Sequence, residues 1–455
     1  MSMRAISPID GRYSEKVSPL RDYLSEWALM KYRVLVEARW LLAQSQNAEI
    51  THARRFSNVE IEFVNSLWRA FDDDAAERIK SIEGLTNHDV KAVEYYIRER
   101  LAETSLRAVT ESVHFACTSD DINNLAYAMM FRDAVREVWS PAARSLIRGL
   151  AGLARSVADS PMLARTHGQP ATPTTMGKEL AVFAYRLRRQ LNGIESQEYL
   201  GKFNGAVGAF NAHHVAYPRA GWQAIAKEFV QGLGLTYNPL TTQIEPHDYL
   251  AELAHGFMRF NRVLLDCCRD MWSYISLGYF RQRVRPQEVG SSTMPHKINP
   301  IDFENAEANL GISSAGFAHL ADKLPLSRLQ RDLSDSSAMR NFGGAIAHSY
   351  LAIQSAERGI SNLAADREAM SGDLEEAWAV LAEAVQTVMR KHHLPGAYEQ
   401  LKTLTRGQSV SSADLHDFIG SLDIPHEEKL MLLQLKPDAY TGRALELALQ
   451  VVDGQ

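Results

Sequence analysis

Cysteine is scarce: 455 residues hold three, Cys117, Cys267 and Cys268. Two of them are adjacent, which rarely pair, and none sits in a Cys-x-x-Cys spacing, so neither a disulfide framework nor a thiolate zinc site is expected. So few thiols fit a reducing compartment. No run of about 18 apolar residues exists, and no membrane span is expected. The opening MSMRAISPIDGRY lacks the apolar stretch of a secretory signal, so the chain reads as soluble and cytoplasmic. Basic residues are in the minority, 49 Lys and Arg against 55 Asp and Glu, for a net charge of −6. Phosphate-backbone binding needs a dominant basic field. Nucleic acid is therefore not an expected partner, whereas one small anion held by a few local Arg and Lys is compatible. Strand-type alternation is absent over any useful window, as are internal repeats and low-complexity tracts.

What is present is helical periodicity. Hydrophobic residues make up 45% and charged residues 23%, ordinary globular usage that supports a sizeable core and more than one domain. After Glu245-Pro246-His247-Asp248, a suitable helix start, apolar residues fall at Leu253, Phe257, Phe260, Leu264, Cys267, Met271 and Ile275. Such spacing is a heptad-type seam. No proline interrupts from His247 to Val284, which predicts a helix roughly 55 Å long. A second seam runs Met176, Leu180, Phe183, Leu187, Leu191. Further helices are predicted at about 304–320 and 339–362, and over 121–159 with a kink at Ser140-Pro141. Long helices with such seams pack as bundles. Polar joints near 103–112 and 362–373 divide the chain into an N-terminal helical domain (1–112), a central long-helix bundle (113–364) and a C-terminal helical domain (365–455).

Five polar segments could carry chemistry. Gly290-Ser291-Ser292-Thr293-Met294-Pro295-His296-Lys297-Ile298-Asn299-Pro300 is a loop by composition. Its small residues leave backbone N–H groups free to face an anion, Lys297 adds charge and Asn299 adds donors. The plain alternative is an inter-helix connector. Arg165-Thr166-His167-Gly168-Gln169-Pro170 sets a histidine among hydroxyl and amide groups, which favours acid–base work over a core role. Thr86-Asn87-His88-Asp89 and Cys117-Thr118-Ser119-Asp120-Asp121 are either site segments or helix caps. Gln330-Arg331-Asp332-Leu333-Ser334-Asp335-Ser336, with Arg340, is either an anion site or a solvated face. Glu304 either orients a histidine or simply suits a helix N-terminus.

Together these segments resemble the fumarase/aspartase superfamily. GSSTMPHKINP resembles its signature loop, and THGQPATP and CTSDDINN its other shared regions. The likeness spans essentially the whole chain. SPIDGRY, TNHDVKAVEYY, TTQIEPHDY and QRDLSDSS point to the bacterial branch that acts on succinylated purine nucleotides. The resemblance implies an all-α, three-domain fold with a long central helix bundle, and a homotetramer whose sites are each built from three subunits. It implies a C–N lyase that expels fumarate from a succinylated purine nucleotide and from the succinylated imidazole ribotide of earlier purine synthesis. It casts Ser291 as general base, His167 as general acid, Glu304 as the partner orienting His167, and His88 as a second active-site histidine. Lys297 and Asn299 would hold the succinyl group and developing charge, and Thr118, Ser119 and Gln243 the carboxylates. Arg12, Tyr13, Arg331, Ser336 and Arg340 would hold the nucleotide and its phosphate, with Asn87 and Asp89 beside His88. Asn87 and Asn305 stand where relatives carry basic residues, and Asn305 is left out of the site.

No metal or organic cofactor is expected: there is no metal-ligand spacing and no glycine fingerprint of a dinucleotide fold. The nearest alternative is a sister enzyme such as argininosuccinate lyase, against which Arg331, Ser336 and Arg340 favour a phosphorylated substrate. The other is a non-catalytic helical scaffold, which the set Ser291, His167, Lys297 and Glu304 opposes.

Overall fold

The computed structural model describes residues 4–283, 293–294, 296–407 and 409–452. Among them helices dominate, and eight strands of two or three residues form four two-stranded pairings. The chain divides into two compact units. One comprises Met1–Ala143, Gln190–Asn261 and Asn309–Leu351, the other Arg144–Arg189, Arg262–Ala308 and Ala352–Gln455. The dividing points fall inside five helices: Ser140–Ser156, Met176–Glu195, Asp248–Ser276, Ile301–Lys323 and Phe342–Ser361.

Both seams are buried as the periodicity predicts, except that Ile275 is only half-buried. The helix Asp248–Ser276 is shorter than its proline-free window. Gly278 at φ 79 ends it, with Tyr279 N–H donating to Tyr274 O at 2.9 Å and Gly278 N–H to Ile275 O at 3.0 Å. These two bonds define a Schellman stop, which a residue without Cβ accepts cheaply. Where a kink is expected, at Ser140-Pro141, a π turn, Val135–Trp139, leads into the helix Ser140–Ser156, whose second residue is the proline.

In the first unit, one core has its buried residues between Met30 and Val113, with Trp27 packed against it, under the helices Glu26–Gln46, Asn58–Arg69, Asp73–Thr86 and Asp89–Ala102. Its helix starts are specified locally. Ser57 and Glu60 form a capping box, and Asp72 Oδ1 accepts from Ala75 N–H at 2.9 Å. Trp139 packs edge-on against Phe257 and Phe260, and Phe257 stacks on Phe317 at 4.7 Å. A buried polar chain crosses this aromatic layer: Trp139 Nε1 donates to Ser349 Oγ, Ser349 Oγ to Asn261 Oδ1, and Asn261 Nδ2 to Ser313 Oγ. In the second unit, a separate core draws only on residues from Trp378 to Tyr440. No helix among the described residues is long and apolar enough to cross a membrane.

Candidate active site

In the first unit the site segments are set from both sides. The helix Glu26–Gln46 turns Glu37, Trp40 and Gln44 toward residues 112–115. Glu37 Oε2 accepts from His114 N–H at 3.1 Å while its Oε1 lies 2.5 Å from His114 Nδ1. Burial alone would lower the His114 pKa, but the charge and hydrogen bond of Glu37 raise it. Trp40 Nε1 donates to Phe115 O and Gln44 Nε2 to Ser112 O. This grip carries the chain through two left-handed residues, His114 and Ala116, both at φ 60. It delivers Thr118 as N-cap of the helix Ser119–Ala134, with Thr118 N–H on Asp121 Oδ2 at 2.8 Å. Thr118 and Ser119 thus sit, half-buried, at the positive end of a helix.

Beside them lies Arg331. Its Nη1 donates to Gln243 Oε1 at 3.1 Å, its Nη2 to Ser336 Oγ at 3.4 Å, and its Nε is 3.3 Å from Asp120 Oδ2. Gln243 in turn donates to Ala206 O at 2.9 Å. Behind this group His247, at φ 66, has its Nε2 3.3 Å from Asp335 Oδ2 and its N–H on Glu245 Oε2 at 2.7 Å. Burial pushes the Asp120 carboxyl up, Arg331 pulls it down and Asp335 adds to the rise. Burial likewise raises Glu245 against the charge of His247, whereas at Asp335 burial is overcome by His247 together with the Ser336 N–H and Arg331, and the pKa is lowered.

A second group forms around Asp89. Arg33 Nη2 is 2.7 Å and Arg340 Nη2 3.2 Å from Asp89 Oδ2, and Arg340 also holds Glu26 at 2.7 Å. Burial would raise the Asp89 pKa, but Arg33, the Val90 N–H and Arg340 together lower it. Arg33 Nε donates to Asn123 Oδ1 at 2.8 Å, which ties this group to the same helix that begins at Ser119. His88 caps the helix Asp89–Ala102, its Nδ1 accepting from Lys91 N–H at 3.2 Å after left-handed Asn87. An accepting Nδ1 leaves the proton of the neutral ring on Nε2. Arg12 is exposed in a run of turns, with Tyr13 N–H on Pro8 O at 2.8 Å, and among the described residues no hydrogen bond or ion pair ties Arg12 to either group.

In the second unit, His167 occupies the tip of a hairpin between Arg165–Thr166 and Gln169–Pro170. His167 at φ 54 and Gly168 at φ 75 make the two-residue turn of primed type that such hairpins favour. The hairpin base is pinned by Arg165 to Asp373 at 2.7 Å and to Tyr279 Oη at 2.8 Å, leaving the imidazole exposed. Glu304, in the first turn of Ile301–Lys323, accepts from Trp272 Nε1 at 3.2 Å, and no hydrogen bond joins it to His167 among the described residues. Lys297 is exposed and Asn299 half-buried. Ser291, with Gly290 and Ser292, lies outside the described residues. Asn305 Oδ1 accepts from Ser355 Oγ at 2.9 Å, an inter-helix bond.

The structure therefore gathers Thr118, Ser119, Gln243, Arg331 and Ser336 in one group, and Asn87, His88, Asp89 and Arg340 in another. Sequence reasoning passed over Arg33, Asp120, His247, Asp335 and Lys202. Asp120, His247 and Asp335 lie inside the CTSDDINN, TTQIEPHDY and QRDLSDSS strings, whereas Arg33 and Lys202 lie outside every string singled out.

This fold, with a polar site on helix starts and loops, is that of the fumarase/aspartase superfamily, and the protein is a lyase of that class. A family model described as "Lyase" matches residues 11–312, and one described as "Adenylosuccinate lyase C-terminal" matches 327–441. The solved fumarate lyase of Mesorhizobium sp. BNC1 superposes with a TM-score of 0.77 at 19% identity, over 96% of this chain and 98% of its own. The 3-carboxy-cis,cis-muconate lactonizing enzyme of Pseudomonas putida gives 0.75 at 21% identity, over 96% of each chain. Those two share the fold. Adenylosuccinate lyases from Escherichia coli K12 and Haemophilus influenzae Rd are 50% and 49% identical over 447 residues, 98% of either sequence. The chain belongs to the adenylosuccinate lyase family.

Proposed function

We propose that this enzyme eliminates fumarate from adenylosuccinate, giving AMP, and from the succinylated aminoimidazole carboxamide ribotide, in cytoplasmic purine nucleotide synthesis. The observation that carries this reading is identity near one half along 98% of relatives named adenylosuccinate lyase. Arg331 with Gln243 and Ser336, and Arg340 beside Asp89, supply donors suited to a phosphate and to carboxylates.

In this reading Ser291 removes the carbon-bound proton next to a succinyl carboxylate. Two negative charges then accumulate on that carboxylate. Lys297, Asn299 and the backbone N–H groups of the signature loop stabilise them as an oxyanion hole does, and the same positive field makes the serine basic. His167, oriented by Glu304, protonates the departing nitrogen as the C–N bond breaks. Thr118, Ser119 and Gln243 hold the carboxylates. Arg12, Tyr13, Arg331, Ser336 and Arg340 hold the nucleotide, with Asn87, His88 and Asp89 alongside. The separate cores over Met30–Val113 and Trp378–Tyr440 support a three-domain division at 1–112, 113–364 and 365–455. Exposed Tyr185, Trp272 and Ile312 on long helices support a homotetramer with sites shared among three subunits.

The test mixes the purified protein with adenylosuccinate, without added metal or cofactor, and follows purine absorbance and fumarate release. Argininosuccinate and malate run in parallel. Turnover of adenylosuccinate alone is expected. Turnover of another succinyl compound instead would overturn the substrate, and inactivity on all three would restore the scaffold reading.

A further inference from the structure

The helix Ser119–Ala134 begins over a charge pair that none of the roles above uses. Lys202 Nζ and Asp121 Oδ1 are 2.9 Å apart and both side chains are fully buried. Removing two charges from water is costly, and such a pair persists only where its remaining hydrogen-bonding capacity is met. Here it is met largely by backbone. Asp121 Oδ2 accepts from Thr118 N–H at 2.8 Å and Gly205 N–H at 3.2 Å, and Oδ1 accepts from Asn204 N–H at 3.0 Å. Lys202 Nζ donates to Gly205 O at 3.1 Å. Asn124, one turn into the helix, accepts from Lys202 N–H at 2.8 Å and donates to Lys202 O at 3.0 Å. Gly205 is at φ +84, with His213 Cε1 3.3 Å from where a Cβ would stand.

Two stretches of backbone are thereby fixed to the same few atoms. One leads directly to Thr118 and Ser119. The other runs one residue further to Ala206, whose carbonyl holds Gln243, which holds Arg331. Charge matters as well as geometry. A lone Asp121 carboxylate in the first turn would repel an anion arriving at Thr118 and Ser119, and Lys202 cancels it.

We propose that Lys202 and Asp121 are a positioning pair for substrate binding, holding the Thr118–Ser119 helix start in register with the Gln243–Arg331 arm. The inference rests on the reading above, in which Thr118, Ser119 and Gln243 take the succinyl carboxylates. It predicts a split that a purely stabilising pair would not give. Lys202→Met should raise KM for adenylosuccinate at least about tenfold, with kcat changed less than about threefold. Adding Asp121→Asn, which removes the repelling charge and keeps one acceptor oxygen, should recover part of the lost KM. If Lys202→Met fails to fold, the double variant alone decides, with a KM raised at least about threefold expected. Folded variants, checked by circular dichroism, that keep the wild-type KM would overturn the inference, as would activity that merely tracks the folded fraction. A wild-type protein inert toward adenylosuccinate removes the substrate reading and this inference with it. An active wild type with unaffected variants removes the inference alone.

Discussion

His213 is fully buried among the rings of Phe203, Phe210 and Trp222, and neither ring nitrogen has a hydrogen-bond partner among the described residues. Burial disfavours the imidazolium and lowers its pKa to about 4 from 6.5. Because the folded value is depressed, the unfolded chain takes up the proton first as pH falls. Stability is full above about 6.5 and drains away between there and about 4, by roughly 3 kcal/mol. His213→Leu should be neutral or stabilising at neutral pH, since it removes two unsatisfied polar atoms, and should flatten the acid loss. Urea midpoints of both proteins at about pH 7 and pH 4.5 check this, and an unchanged acid slope would refute it. Neither His213 nor His114 stood out in the sequence: Glu37 is remote in the chain from His114, and the aromatics near His213, though close in sequence, give no sign there that they close around its ring. His88 and His167 did stand out, through polar neighbours; the helix-cap alternative read for the first string is what His88 forms, whereas the hairpin at His167 was not read from its string. What such strings cannot carry is the side chain that faces each ring in a complete site.

At the scale of elements, the helix Met176–Glu195 starts against the end of the helix Ser140–Ser156. Gly177 N–H donates to Val157 O at 3.0 Å, and a Cβ on Gly177 would lie 2.4 Å from Ala158 Cα and 2.5 Å from Ala154 O. Backbone cannot rotate aside as a side chain can, so the helix start must shift. Gly177→Ala should cost about 1–3 kcal/mol or more, against the modest gain that alanine gives in an open helix interior. A thermal midpoint at or above wild type would show that the helix start can slide freely. The seam Met176, Leu180, Phe183, Leu187, Leu191 was readable because heptad spacing is a local property, and each member is buried. The close approach at Gly177 was not, since a glycine inside a helical pattern carries no mark of what stands opposite. The stop at Gly278 was readable in principle. A proline-free window sets only an outer bound, whereas a left-handed glycine sets the end.

For the whole molecule, the residues assigned to chemistry are divided in sequence. His167, Lys297 and Glu304 belong to the stretches of the second unit, and Thr118, Gln243, Arg331, Ser336, Arg340 and His88 to those of the first. Within the chain Glu304 is engaged by Trp272, and His167 stands exposed on its hairpin. We propose further that, in the shared site of the proposed tetramer, base and acid come from different subunits, which has a consequence that a self-contained site lacks. Ser291→Ala and His167→Ala proteins should each fold, assemble and be inert. Full activity in the first would remove the base from Ser291, and in the second would move the acid to His88. Coexpressed in equal amounts, the two inert chains should mix, and by random assortment about a quarter of the sites receive an intact serine from one chain and an intact histidine from another. Activity near that fraction of wild type, from proteins inert apart, is the expected result. If both residues of a site come from one chain, every site in the mixture lacks one of them, and coexpression restores nothing.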